Sequence, residues 1–251
     1  MDRSSLQGAG RSVDRRLKLG IVLNLLFALA ELIAGLASGS LALVGDAWHN
    51  FSDVIGLALS WVALRQVERP STGRKTFGYH RATILAALGN EVALIGITLG
   101  LFYEAIRRQR QPELPEAAVM LGVAGVGFLM NLASALSLKR ATRDVNIRSA
   151  YLHLISDASV SLGVVAAGVI ILLTGWTLID PLLSLVIGLL ILIGSWDIVA
   201  ETFNVLMEGV PRGVDVDRVL GPVRSFPEVK DTHDLHVWSL SSRVYAMSCH
   251  L

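Results

Sequence analysis

Six long apolar runs separated by short polar connections make up most of the chain: Leu19–Ser38, Leu41–Leu64, Ala82–Tyr103, Ala117–Leu138, Ala150–Leu173 and Leu182–Leu206. Each holds about 20 residues, the length a helix needs to cross roughly 30 Å of hydrocarbon. Lipid offers a backbone amide no partner, so each run must close its hydrogen bonds within itself, as a helix. The pattern therefore predicts an all-α membrane protein with six transmembrane helices. Residues 1–18 are polar and basic and read as an N-terminal arm; residues 19–208 read as the membrane domain.

The character changes after residue 208. "VDVDRVLGPVRSF" has helical spacing with acids at its start, while "VKDTHDLHVWSL" and "RVYAMSCHL" are β-rich runs joined by "SSR", a hairpin pattern. Residues 209–251 thus read as the start of a small α+β domain that stops within a strand at Leu251. About forty residues are too few to bury a stable core alone, so the domain is expected to be truncated.

Composition agrees with a membrane setting. The chain is 53% hydrophobic and 17% charged, against about 25% charged in ordinary soluble domains. The first apolar run is too long for the h-region of a cleaved signal peptide. One cysteine, Cys249, excludes a disulfide scaffold and a Cys-rich zinc or iron–sulfur site within the chain. It also argues against Cu(I) handling, which calls for several soft sulfur ligands. A net charge of +1 says little about partners; no nucleic-acid partner is expected of a chain of this composition.

Basic residues assign the sides of the membrane. Arg3, Arg11, Arg15, Arg16 and Lys18 precede the first span, Arg65, Arg69, Arg74, Lys75 and Arg81 follow the second, and Lys139, Arg140, Arg143 and Arg148 follow the fourth. The opposite side has only Arg107, Arg108 and Arg110, in the local cluster "RRQR". Fourteen against three predicts that both termini are cytoplasmic. On the outer side "ASGSLAL" makes a tight turn, and Asp180-Pro181 reads as a helix start, with the acid capping the sixth span.

The second span carries "GDAWHNFSDV", in which His49 and Asp53 are four residues apart and so share a helix face. The fifth repeats the arrangement in "YLHLISDASVSLG" with His153 and Asp157. If the two helices face each other, two imidazoles and two carboxylates converge on one point, a tetrahedral N/O set of the kind Zn²⁺ prefers. The acids would cancel the charge of a dication where bare charge is costly, and Ca²⁺ or Mg²⁺ would want more oxygens. The competing reading, a structural hydrogen bond within each pair, weakens when the pair occurs twice.

Asp46, on the His49 face, reads either as a further ligand or partner of the imidazole, or as a helix-start cap after Gly45. Asn50 points off that face and reads as interhelical glue. Asn24, Glu31, Asn90, Glu91 and Asn131 are expected to hydrogen-bond across helices, with Glu31 the one to test as a pathway residue. A hydrolase reading, an intramembrane zinc-dependent enzyme, needs three ligands and an open water position. The four-ligand set argues against it, as does the lack of HExxH or Gly-x-Ser-x-Gly; Ser52, Ser156 and Ser159 are its only nearby nucleophiles.

Taken in order, "HNFSD", "HLISD", "TFGYHRATILAAL", "DPLLSL" and "LMEGVP" resemble the cation diffusion facilitator family of zinc transporters, over about Leu17 to Leu251. The resemblance implies a homodimer with a ferredoxin-like cytoplasmic domain, in the bacterial inner membrane. It implies export of cytosolic Zn²⁺ in exchange for protons; the two imidazoles in a compact tetrahedron are expected to favour Zn²⁺, and Co²⁺ with it, over the larger Cd²⁺. It assigns His49, Asp53, His153 and Asp157 to the transport site, inside a bundle with spans one and four. Arg81 and Glu208 fall where relatives interlock the cytoplasmic helix ends. Lys75 and Tyr79 stand where some relatives carry ligands of an extra site, so that site is not expected. His233 and His250 resemble positions that bind regulatory metal; the competing reading makes His233, His236 and His250 solvated strand residues.

Overall fold

The computed structural model describes residues 3–67, 69–110, 113–139, 142, 145–241 and 244–251. Arg140, Arg143, Ser242 and Arg243, used above for orientation and for the hairpin turn, lie outside these, as do the side chains of the N-terminal arm. Among the described residues, seven helices and two strands follow in order: α1 (Arg3–Ser38), α2 (Leu41–Val67), α3 (Ala82–Arg110), α4 (Ala117–Leu138), α5 (Val145–Thr174), α6 (Ile179–Leu206), α7 (Val216–Arg224), β1 (His233–Ser241) and β2 (Val244–His250). Helix α1 takes in residues 3–18, set apart above as an arm. Helices α3, α5 and α6 likewise outrun their apolar cores, since the apolar run marks the hydrocarbon and the helix continues past it.

Among the described residues, five helices are long and apolar enough to cross a membrane: α1 from Ile21, α3, α4, α5 from Ile147, and α6. Helix α2, at 27 residues, has the length, but Asp46, His49, Asn50 and Asp53 lower its hydropathy. The outward faces of these helices expose large apolar side chains such as Leu26, Ile33, Leu36, Leu189 and Ile193. Water would penalise each at about 25 cal/mol per Å², whereas acyl chains do not. The protein is an integral membrane protein.

The chain divides into two compact units, Met1–Val54 with Leu94–Leu192, and Ile55–Ala93 with Ile193–Leu251. In the first, Leu43, Met120, Ala124, Val164, Ala167, Ile171 and Ile187 form the centre of the core. Helix α4 lies along α5 and also packs on α1. Small residues permit the close approach: a Cβ on Gly127 would sit 2.9 Å from Phe27 Cζ, and one on Gly168 3.1 Å from Leu121 Cγ. Tight van der Waals packing of this kind replaces the hydrophobic effect as the force between helices in lipid.

The α1–α2 turn passes through Gly39 at φ 72°, where a side chain would be strained. Here one expectation needs correction. Asp180 sits inside the first turn of α6 and caps α2 instead: its carboxylate accepts from Ser40 Oγ at 2.6 Å, Leu41 N at 2.7 Å and Ala42 N at 3.2 Å. The first amides of α2 are buried and have no intrahelical partner, so they need an acceptor from elsewhere in the fold. The "RRQR" cluster also finds an explanation. Arg107 and Arg108 pair with Glu104 at 2.7 and 3.1 Å, and Arg108 also reaches Glu113 at 3.1 Å and donates to the Gly39 carbonyl. Two of its cations are thus matched by acids and by the turn they hold.

In the second unit, Asp215 caps α7 by accepting from Asp217 N at 3.1 Å and Arg218 N at 3.3 Å. Strands β1 and β2 pair antiparallel, with His233 opposite His250 and Trp238 opposite Ala246, the hairpin read from sequence. Trp238 meets Phe77 edge-on at 6.4 Å. Arg81 Nη2 lies 2.6 Å from Glu208 Oε1, the pair implied by the family resemblance.

Candidate metal centre

Helices α2 and α5 supply the four residues singled out in the sequence, and all four lie in the first unit. The i, i+4 spacing stacks His49 above Asp53 and His153 above Asp157, and the two faces meet. His153 Nε2 lies 3.1 Å from Asp53 Oδ2 and 3.5 Å from Asp157 Oδ2. His49 Nε2 lies 3.6 Å from Asp157 Oδ1 and 4.0 Å from Asp53 Oδ2. The imidazole centroids are 6.2 Å apart at 70°. Asp53, His153 and Asp157 offer ligand atoms all within 4.8 Å of one another. A tetrahedron with bonds of about 2.0–2.1 Å has edges of about 3.3 Å. The two His153 separations lie close to that value, whereas His49, at 3.6 and 4.0 Å from the carboxylates, falls outside the three-residue cluster and would have to move inward to share an ion.

The cluster is closed at one end. Side-chain exposure rises from 7% at Asp157 through 24% at His49 and 37% at Asp53 to 50% at His153. The open end lies toward the C-terminal half of α2 and the start of α5. Beyond the closed end lies a buried polar layer. Asp46, fully buried, accepts from Ser161 Oγ at 3.0 Å. Glu31, also fully buried, accepts from Asn50 Nδ2 at 2.8 Å, the interhelical bond expected of both residues. Asp46 therefore does not act as a cap. Ser161 escaped the sequence reading; its signal is a small hydroxyl four residues after Asp157, one turn further along the same face.

The other polar residues divide. Glu91 is buried and Asn131 half-buried, while Asn24 is exposed. A Cβ on Gly56 would lie 3.5 Å from Asn90 Nδ2, so α2 and α3 approach closely there. Lys75 Nζ stands over the Tyr79 ring at 4.3 Å. His233 and His250 face each other across the hairpin with centroids 5.5 Å apart, and His236 Nε2 lies 3.4 Å from Asp234 Oδ1, all exposed to solvent. Of the hydrolase candidates, Ser159 spends its hydroxyl on the Ile155 carbonyl at 2.8 Å, and Ser52 is buried.

Fold and site together define a helical integral membrane protein with a polar His/Asp centre between two of its helices. The family model for the cation efflux transmembrane domain matches residues 17–207, and that for the cation efflux protein cytoplasmic domain matches residues 211–251. The chain belongs to this family, the cation diffusion facilitators. It is 38% identical over 251 residues to the metal cation efflux system protein CzcD of Cupriavidus metallidurans, covering 97% of this chain and 79% of that protein. It is 36% identical over 253 residues to the cadmium, cobalt and zinc/H(+)-K(+) antiporter of Bacillus subtilis, covering 100% and 80%. With the zinc transporter ZitB of Escherichia coli the identity is 38% over 232 residues, covering 91% and 74%.

Proposed function

We propose that this protein is a proton-coupled antiporter that carries Zn²⁺, and also Co²⁺, out of the cytosol through a site made by His49, Asp53, His153 and Asp157. The observation that carries the reading is the convergence of two imidazoles and two carboxylates from α2 and α5, with N···O separations of 3.1–4.0 Å. The donor set suits a borderline ion, and its two negative charges match the dication's two positive ones. The relatives' names, which include zinc, cobalt, cadmium and protons, agree with this cargo class.

On this reading α2 is the sixth membrane span and both termini are cytoplasmic, in a bacterial inner membrane. Helix α7 and the hairpin begin a ferredoxin-like domain, through which two copies form a homodimer. The open end of the centre then faces the cytosol, on the side of the basic connections. Neutral His49 and His153 take metal from that side. When the bundle rocks to the other side, arriving protons compete for the same nitrogens and release the ion. Imidazole suits this exchange because its unperturbed pKa, about 6.5, is near working pH.

The test is uptake by proteoliposomes loaded with a zinc dye under an imposed pH gradient. Wild-type protein should accumulate zinc only with the gradient, while His49→Ala and Asp157→Ala should be inert though folded. Gradient-independent uptake would refute proton coupling, and transport by either variant would refute the site.

A further inference from the structure

The connection between α2 and α3 forms part of a pocket that the metal centre does not use. Its volume is about 600 Å³, within the range of roughly 300–1,000 Å³ that holds small ligands. It lies wholly in the second compact unit. Trp238 meets Phe77 edge-on at 6.4 Å, so strand β1 makes one wall and the connection another. The connection is a folded turn. Thr72 and Lys75 exchange both backbone hydrogen bonds, at 3.1 and 3.0 Å, and Gly78 N donates to Lys75 O at 2.9 Å. Gly78, at φ 70°, then turns the chain into α3.

Cations outnumber acids in this pocket. Arg74 and Lys75 line it, and neither has an acid partner among the described residues. Lys75 Nζ rests over the Tyr79 ring at 4.3 Å. Arg81 is matched by Glu208 at 2.6 Å, and among the described residues Glu208 is the only acid in the wall. Two positive charges are therefore left uncompensated. His80, also in the wall, has a buried Nδ1 with no hydrogen-bond partner among the described residues. The first turn of α3, the positive end of its helix dipole, contributes Ala82 and Leu85.

The rest of the lining is apolar and lies where the membrane begins. Phe77 and Leu85 are exposed, and Leu85 belongs to the apolar run that opens at Ala82. Near the end of α2, Arg65 stacks on Trp61 at 4.0 Å, an aromatic and basic pairing suited to the headgroup layer. The pocket thus joins cations at headgroup level to side chains at the edge of the hydrocarbon. A metal ion would meet net positive charge and a carboxylate already spent on Arg81. An apolar ligand would strip water from Arg74 and Lys75 and offer nothing in return. A soluble anion would leave the apolar wall unused.

We infer that this pocket binds an anionic phospholipid, its phosphate paired with Arg74 and Lys75 and the start of an acyl chain against Phe77 and Leu85. Basic pockets at the membrane surface recognise lipid headgroups by this combination of charge and depth. The lipid comes from the leaflet on the side of the basic connections. The inference needs only membrane insertion, not the cargo or proton coupling, so it stands or falls apart from the metal centre.

The experiment is native mass spectrometry of the purified full chain in detergent with equal amounts of phosphatidylglycerol and phosphatidylcholine. Wild type should retain one phosphatidylglycerol per chain in preference to phosphatidylcholine. Arg74→Ala with Lys75→Ala should weaken phosphatidylglycerol roughly 25-fold, about fivefold for each cation removed. Lys139→Ala with Arg148→Ala removes the same charge from exposed positions outside the pocket and should leave retention unchanged. Equal retention of the two lipids by wild type overturns the proposal without any variant having to fold. Equal losses in the two double variants also overturn it, because the effect would then be one of overall charge. Inorganic phosphate at the lipid's concentration should not displace phosphatidylglycerol; displacement would make the ligand a soluble anion and overturn the lipid assignment.

Discussion

Asp157→Asn removes one charge from the centre at almost constant volume. Asp157 is the most buried of the four residues, at 7% side-chain exposure, and its two oxygens reach both histidines at 3.6 and 3.5 Å. Four-ligand zinc sites bind with roughly 10–16 kcal/mol at neutral pH, or about 2.5–4 kcal/mol per ligand if shared equally. At about 1.4 kcal/mol per tenfold, loss of one ligand should weaken zinc about 100- to 1,000-fold. The upper end applies if the amide also leaves the dication with one uncompensated charge in the membrane interior. Competition with a zinc-chelating dye in detergent measures the affinity, and circular dichroism with size-exclusion chromatography confirms that the helices persist. Zinc binding within threefold of wild type in a folded protein would refute the reasoning, because a site that tolerates loss of its central acid is not built around it.

Zinc affinity should fall as pH drops, by up to about a hundredfold per unit, because protons compete with the metal for the nitrogens of both His49 and His153; titration calorimetry at several pH values checks this, and a flat profile contradicts it. Asp180→Ala should cost about 3 kcal/mol of stability by stranding the Ser40 hydroxyl and the Leu41 and Ala42 amides in the interior. Thermal unfolding in detergent reads that loss, and Asp180→Asn should recover part of it. Arg81→Glu should change stability by about 1 kcal/mol or less, because the Glu208 pair is solvent-exposed; adding Glu208→Arg should restore whatever rate or stability was lost. Zinc and cobalt should move faster than cadmium, and His49→Asp should narrow that gap in competition uptake assays.

Local periodicity made a large part of this protein legible. The apolar runs located the helices, because lipid leaves an apolar segment no other way to pair its amides, but not their full extent: α1 starts at Arg3 and α3 ends at Arg110, well outside their runs. Four-residue spacing placed His49 with Asp53 and His153 with Asp157, since a helix repeats its face at that interval whatever it packs against. The α7 and hairpin pattern was equally local. What spacing cannot specify is the angle at which each helix is turned toward its neighbours, and that decided the rest. Packing brought α2 and α5 face to face and opened their cluster at the His153 end. It sent Asp180 across 140 residues of sequence to cap α2 rather than its own helix. It also set Asn50 against Glu31 and Ser161 against Asp46. Each of these follows from one requirement, that a polar group withdrawn from water must find its partner wherever the fold has put one.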